Sequence, residues 1–387
     1  MRGVAGVVDT GAHPTARGGP AADVLPPERV AVPVISDPRA AFGARTAEVP
    51  AGRRFLARAF ARPSLPAVVG LVVVVAFFAL RVPNLVTPFG LATVLDTAAL
   101  LGIGGVAVAL LLVAGQFDLS VGVTAVASSL LTALLIGYAG WSTWPALLVS
   151  LLAALVVGVV NGVLVVNTGL PSFLVTLATF LILQGTSQAG AQAVAGGTRV
   201  SGLDESPGWS SATAVFDATV QLGNGRFSVS ILWWLGITAL ATWALWRTKF
   251  GNAVFASGGA RQAARELGVP VRRTTVALFC LTAAAGWLLG TMTLVRLASV
   301  QAGGTVGILS GIDFIVVAVI GGCLLTGGYG SAIGASVGAL LYAVAREGIT
   351  LADWDTRWFQ ALLGVLLLVA LLANGEVRRR LRARPRS

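Results

Sequence analysis

Along this chain, long apolar runs without charge alternate with short polar clusters. Residues 119–198 contain no Asp, Glu, Lys or Arg, which is length enough for three crossings at about 20 apolar residues each. Breakers divide that stretch: 137–145, with Trp141 and Trp144, and then Asn167, Gly169 and Pro171. The divisions predict spans near 119–136, 144–166 and 172–193. Two more precede them, 63–80 and 89–114, the second carrying Asp96 near its beginning. A polar stretch, 196–226, holds Asp204, Glu205, Asp217 and a Gly-Asn-Gly turn at 223–225 and reads as a loop outside the membrane. Beyond it, apolar runs predict spans at 227–246, 274–295, 311–326, 331–345 and 358–373. The expected fold is all-α, a polytopic integral membrane protein with about ten transmembrane helices.

Composition agrees with this pattern. Charged residues make 11% of the chain, against about 25% in a water-soluble domain, so too few polar groups exist to cover a globular exterior. The net charge of +11 is concentrated in three places. Residues 1–62 carry nine Arg against five acids, 247–275 carry six bases against Glu266, and 374–387 carry six Arg against Glu376. Because these bases border apolar segments and form no single face, they argue against nucleic acid as a partner. They read instead as topology: ten crossings put both termini on one side, and the positive-inside rule places that side in the cytoplasm. The expected organisation is a basic cytoplasmic tail at 1–62, a transmembrane domain at 63–373 with a cytoplasmic loop at 247–275, and an Arg-rich cytoplasmic tail at 374–387. Residues 1–50 show no period and read as disordered. Arg53, Arg54, Arg58 and Arg62, spaced along Phe55, Leu56 and Phe60, fit either an amphipathic helix on the inner leaflet or a plain basic flank. With one histidine, His13 in the tail, and two cysteines in apolar runs, Cys280 and Cys323, histidine-base catalysis and a His/Cys zinc site are excluded, and no enzyme is expected.

Three motifs carry candidate chemistry. The first, 115–122, sets Gln116, Asp118 and Ser120 between two spans with Gly115 and Gly122 at its ends. An acid at membrane depth needs a partner or a cavity. Asp118 is expected to cap a helix starting at Leu119, a role compatible with one in a transport pathway. The second is the run containing Gly321, Gly322, Gly327, Gly328, Gly330 and Gly334. It lacks the ending of a phosphate loop, and glycine so dense between spans allows close helix crossing or a broken helix. The third, 258–270, predicts a short helix with Ala263, Ala264 and Leu267 on one side and Gly268 as its stop. It would dock a soluble partner or lie on the inner leaflet.

At these motifs the chain resembles the permease subunits of bacterial ABC importers, in the ribose, xylose and galactose branch. Gly115-Gln-Phe-Asp118-Leu-Ser-Val-Gly122 is similar to that branch's Gly-x-x-Asp-Leu-Ser-Val-Gly signature, and the 258–269 segment to its cytoplasmic coupling loop. Arg296-Leu-x-Ser299-x-Gln301, followed by the glycine run, completes the pattern. The resemblance implies a subunit of a bacterial cell membrane that hydrolyses nothing and binds no cofactor, the ATP being used by partner ATPases. It implies coupling through Gly259, Arg261, Ala263, Ala264, Leu267 and Gly268. It implies a pathway shaped by Gln116, Asp118, Ser120 and Gly122, with the glycines of 321–334 in the neighbouring moving parts. The implied partners are the ATPase, a second permease copy, identical or related, and an extracellular binding protein delivering a sugar. Where the family's loop carries Asn, this chain has Ala260. The related branched-chain amino-acid permeases lack the Asp-Leu-Ser-Val-Gly wording, which favours a sugar-type solute. The rival reading is an ion-coupled secondary transporter with Asp96, Asp118, Asp313 and Arg296 as a relay.

Overall fold

The structure is a computed structural model that describes residues 65–303 and 311–382, with side chains to Leu372. The expected N-terminal tail and amphipathic stretch at 53–62 lie outside the described residues. The chain runs through α1 (Leu65–Arg81), a 3-10 turn (Pro83–Val86), α2 (Pro88–Val113), α3 (Val121–Gly137), α4 (Thr143–Thr168) and α5 (Ser172–Ala195). It continues through β1 (Arg199–Ser201), α6 (Trp209–Phe216), β2 (Thr219–Leu222), β3 (Gly225–Ser228) and α7 (Ser230–Arg247). Then follow α8 (Lys249–Gly259), α9 (Arg261–Glu266), α10 (Val271–Leu297), β4 (Ser299–Gln301), α11 (Gly311–Ile320), α12 (Ala332–Leu351) and α13 (Arg357–Arg382). Helices α2, α4, α5, α10 and α12 are long and apolar enough to cross a membrane.

Local sequence explains where these helices begin. Thr87 caps α2, its hydroxyl accepting from the Gly90 amide, and Pro88 takes the first position, where a missing N–H costs nothing. Ser331 and Thr248 do the same for α12 and α8. Between α4 and α5 the chain turns at Gly169, whose φ of 70° closes the first helix.

Helix α2 is the centre of the bundle. Beyond Thr97 it is apolar on every side, and 20 of its 26 residues are buried, as a helix of that kind requires. Its glycines admit neighbours: a side chain at Gly104 would strike the Phe314 ring of α11, and one at Gly102 the Trp234 indole of α7. On the outside, Leu148, Leu152 and Val156 of α4 stay exposed, a surface suited to lipid and not to water.

All ten expected spans have helical counterparts, with four corrections. The third begins at Val121, because the segment through Ser120 is spent on a turn. The eighth is helical only over Gly311–Ile320, about 15 Å at 1.5 Å per residue, half of a hydrocarbon core. Gly321 to Ser331 is irregular, with Gly322, Gly327 and Gly328 at positive φ. The sixth starts at Ser230, since Phe227 and Ser228 belong to a hairpin of β2 and β3. The last helix continues through Arg382, so much of the expected C-terminal tail prolongs it. The polar stretch 196–226 is built as well: it contains α6, and β1 pairs antiparallel with β4 in the register Arg199↔Gln301, Val200↔Val300, Ser201↔Ser299.

Candidate transport site and docking loop

Asp118 is 2% exposed and its carboxylate is fully engaged. Oδ1 accepts from the Ser120 amide at 2.8 Å and the Ser120 hydroxyl at 2.6 Å, and Oδ2 accepts from the Thr282 hydroxyl of α10 at 2.6 Å. The expected cap is thus an Asx-type turn just ahead of α3, not a cap of a helix starting at Leu119. Around it the polar contacts spread outward. Asn161 of α4 donates to the Ser120 hydroxyl at 3.1 Å, and the Thr179 hydroxyl of α5 donates to Asn161 Oδ1 at 2.6 Å. The backbone N–H groups of Phe117 and Leu119 donate to the Ser172 and Thr176 hydroxyls. A single irregular segment therefore ties together α3, α4, α5 and α10. Gln116 and Gly122 are buried in the same segment. Gly311, the first residue of α11, packs so close to Leu119 that an added Cβ would lie 2.5 Å from its carbonyl oxygen. Residues Asn161, Thr176, Thr179 and Thr282 escape a sequence reading; Asn161, an amide within an apolar run, is the one with a visible signal.

The glycine motif and the loop motif meet. Gly327 Cα space is shared with Gly115 and Gly258: a Cβ on Gly327 would lie 2.8 Å from Gly115 Cα and 3.0 Å from Gly258 Cα. A Cβ on Gly258 would overlap the Val113 carbonyl at the end of α2, whose oxygen accepts from the Gly328 amide at 2.8 Å. Gly259 sits against Gly328 in turn. Bare backbone from three separate stretches is thus in direct contact. Nearby, Gly321 packs on the backbone of Gly334, so that α11 and α12 cross closely, and Gly330 adjoins Cys323 and Val113.

Helix α9 follows this junction. Its end is a Schellman motif: Gly268, at φ 78°, donates to Arg265 O at 3.0 Å and Val269 donates to Ala264 O at 2.9 Å. The expected apolar side is divided, because Ala264 is buried while Ala263 is exposed and Leu267 is 84% exposed. Arg261 is half-buried, and its Nε is enclosed without a hydrogen-bond partner. Burial, with Arg265 beside it, pulls the Arg261 guanidinium below its ordinary value.

Arg296, at the far end of α10, is held apart from Asp118. Its guanidinium bonds Asp96 at 2.7 and 3.1 Å and Asp217 at 2.8 Å, and Ser228 and Ser230 complete the cluster. Asp313 hydrogen-bonds Tyr342 elsewhere, on α12. Of the four residues of the ion-relay reading, Arg296 thus contacts Asp96, while Asp118 and Asp313 have other hydrogen-bond partners.

Polar backbone and side chains enclosed within an apolar bundle, and joined through bare backbone to a solvent-exposed helical loop, are the parts of a multi-pass membrane transport protein. The sequence profile of the family described as "Branched-chain amino acid transport system / permease component" matches residues 90–371, and the chain belongs to that family. It is 30% identical over 324 residues to the fructose import permease protein FrcC of Rhizobium meliloti, covering 82% of this chain and 87% of the relative. The ribose import permease protein RbsC of Escherichia coli K12 is 25% identical over 86% of this chain and 99% of its own length. The galactose/methyl galactoside import permease protein MglC of the same strain is 27% identical over 78% and 90%. No solved structure matches.

Proposed function

We propose that this chain is the permease subunit of an ATP-driven importer of a monosaccharide or related small polar solute, in a bacterial cell membrane. The relatives named for fructose, ribose and galactose import support the solute class. The observation that carries the mechanism is the junction of Gly115, Gly258 and Gly327, where the loop bearing α9 touches both the Asp118 segment and the glycine run. In this reading the termini and the α8–α9 loop face the cytoplasm, as their positive charge favours, and an ATPase docks on α9. Leu267 supplies an exposed apolar anchor, and Arg261, half-buried at the start of α9, adds a positive charge to the same element. Gly259, Ala263, Ala264 and Gly268 shape that docking element. Two permease copies, identical or related, enclose the pathway, and an extracellular binding protein delivers the sugar to the opposite face.

ATP is bound and hydrolysed by the ATPases, and this subunit holds no cofactor. Closure of the ATPases pulls α9, and the junction passes the displacement to the end of α2 and the turn before α12. The segment of Gln116, Asp118, Ser120 and Gly122 then shifts with the helices it ties, reshaping the pathway, while the glycines of 321–334 allow α11 and α12 to slide. Alternation requires that ATP and the loaded binding protein favour different states. Two measurements test the reading. Leu267→Asp abolishes co-purification of the ATPase while membrane insertion is kept; an undiminished yield of ATPase removes the docking assignment. Sugar uptake in vesicles stops without ATP and continues with a proton uncoupler; the opposite dependence establishes the ion-coupled transporter instead.

A further inference from the structure

Helix α5 has a surface that does not suit lipid. Only five of its 24 residues are buried, against nine of 26 in α4. The exposed positions of α4 are apolar throughout its middle, among them Leu152, Val156 and Val160. In its second half α5 differs: Gln188 and Gln192 are exposed and Gln184 is half-exposed. These three stand at i, i+4 and i+8, one above another on one stripe about 12 Å long. Toward the other end of the helix the same side carries exposed Leu174 and Leu181, so the amides are confined to the half next to β1. Gln188 lies against the bare backbone of Gly303, where an added Cβ would come 2.6 Å from its Cδ. Gln192 Nε2 donates to Gly196 O at 3.1 Å.

The opposite flank of α5 faces a mostly apolar crevice with a few hydroxyl groups on its wall. Thr186, Ser187 and Gly190 border this crevice of about 230 Å³, shared with α3 and α4. Thr124 and Ser128 line it, and the Thr124 hydroxyl is buried there without a hydrogen-bond partner. Amide groups facing hydrocarbon are costly, so the stripe needs a polar surrounding. Each carboxamide offers two donors and an acceptor, and the stripe carries no charge. A neutral molecule bearing many hydroxyls, each both donor and acceptor, fits such a wall better than an ion does.

We propose that Gln184, Gln188 and Gln192 of α5 line the solute pathway and hydrogen-bond a neutral polyhydroxylated solute in turn as it passes. The proposal rests on the import reading above and names the residues that would meet the solute. It moves that contact away from Asp118, whose carboxylate is already filled by Ser120 and Thr282.

The test uses the whole transporter, with its ATPase and binding protein, in proteoliposomes. In a background with Cys280→Ala and Cys323→Ala, single changes Gln184→Cys, Gln188→Cys and, as a lipid-facing control, Val156→Cys are exposed to a charged methanethiosulfonate. Positions 184 and 188 are expected to react, position 156 not to react, and added sugar-loaded binding protein with ATP to change the rate at 184 and 188 several-fold. The double variant Gln184→Leu/Gln188→Leu is expected to lower uptake of radiolabelled D-fructose, D-ribose or D-galactose, whichever the unaltered transporter carries, by about tenfold or more, at equal yield of assembled complex. Inert cysteines at 184 and 188 overturn the proposal. So does reaction there with undiminished uptake in the double variant, and so does high-yield cross-linking of Gln188→Cys between two copies without labelling, which would make the stripe a subunit contact. If the unaltered transporter shows no ATP-dependent uptake of any sugar, the import reading fails, and the labelling pattern still decides whether the stripe lines an aqueous path.

Discussion

At Asp118 a buried carboxyl group is enclosed by neutral partners alone: two hydroxyls and one amide. Leaving a buried polar group without its partner costs about 1–3 kcal/mol, so removal of one partner is expected to be felt across the bundle. Thr282→Val should lower stability by about 1–3 kcal/mol, read as a reduced midpoint of unfolding in detergent. Asn161→Leu, which strips a donor from the neutral Ser120 hydroxyl, should cost less, about 1 kcal/mol. An inverted order would show that Thr282 is not the principal outside support of the carboxylate. Asp118 is legible in the sequence because it is the acid bordering an 80-residue stretch without charge. Its supporters are not, because a helical hydroxyl ordinarily bonds its own preceding turn. The Thr282 hydroxyl also lies 3.0 Å from Phe279 O in its own preceding turn, and only the packing of α10 against the 116–120 segment draws its single hydrogen toward the closer Asp118 oxygen.

Among the elements, α9 is short and its end is fixed by one residue. Gly268 stands at φ 78°, a conformation that costs a residue with a Cβ about 1–2 kcal/mol. Gly268→Ala should therefore fray the last turn of α9 and weaken ATPase co-purification, yet less than Leu267→Asp, which removes the anchor itself. Equal losses from the two would mean that helix geometry, not the Leu267 side chain, makes the contact. This stop was readable from the Gly-Val-Pro ending, whereas the length of α11 was not. Residues 314–325 form an unbroken apolar run, and hydropathy does not register that Gly321 and Gly322 leave the helix. Nor did the pattern place α8 within the basic loop, since its Ala, Gly and Ser carry little periodic signal. Behind α5, the crevice lined by Ala127, Ala153, Ala154 and Gly190 leaves that helix room to shift. Ala127→Leu should fill it, slowing uptake without loss of assembled complex; an unchanged rate would show that α5 stays fixed during transport.

For the whole molecule, the ten apolar runs make the helical membrane-protein fold readable before any coordinates. What they leave hidden is that motifs about 70 residues and more apart in sequence become neighbours: Gly115, Gly258 and Gly327 share one small volume. Gly258→Val should place a branched side chain against the Val113 carbonyl and part these segments. Insertion and ATPase binding are expected to persist, since α9 is untouched. Uptake should fall steeply while ATP hydrolysis continues, measured together in proteoliposomes. Uptake retained beside normal hydrolysis would show that force takes another route.

The junction also bears on how faithfully a small movement is passed on. Side chains between two moving parts act as springs, since each rotates or bends before it pushes its neighbour. Where the backbone of Gly258 meets that of Gly327 and Val113 with nothing between, there is almost no slack to take up. In the proposed mechanism, a displacement of about an ångström at the loop then arrives at α2 nearly undiminished, so the permease keeps pace with the ATPase that drives it.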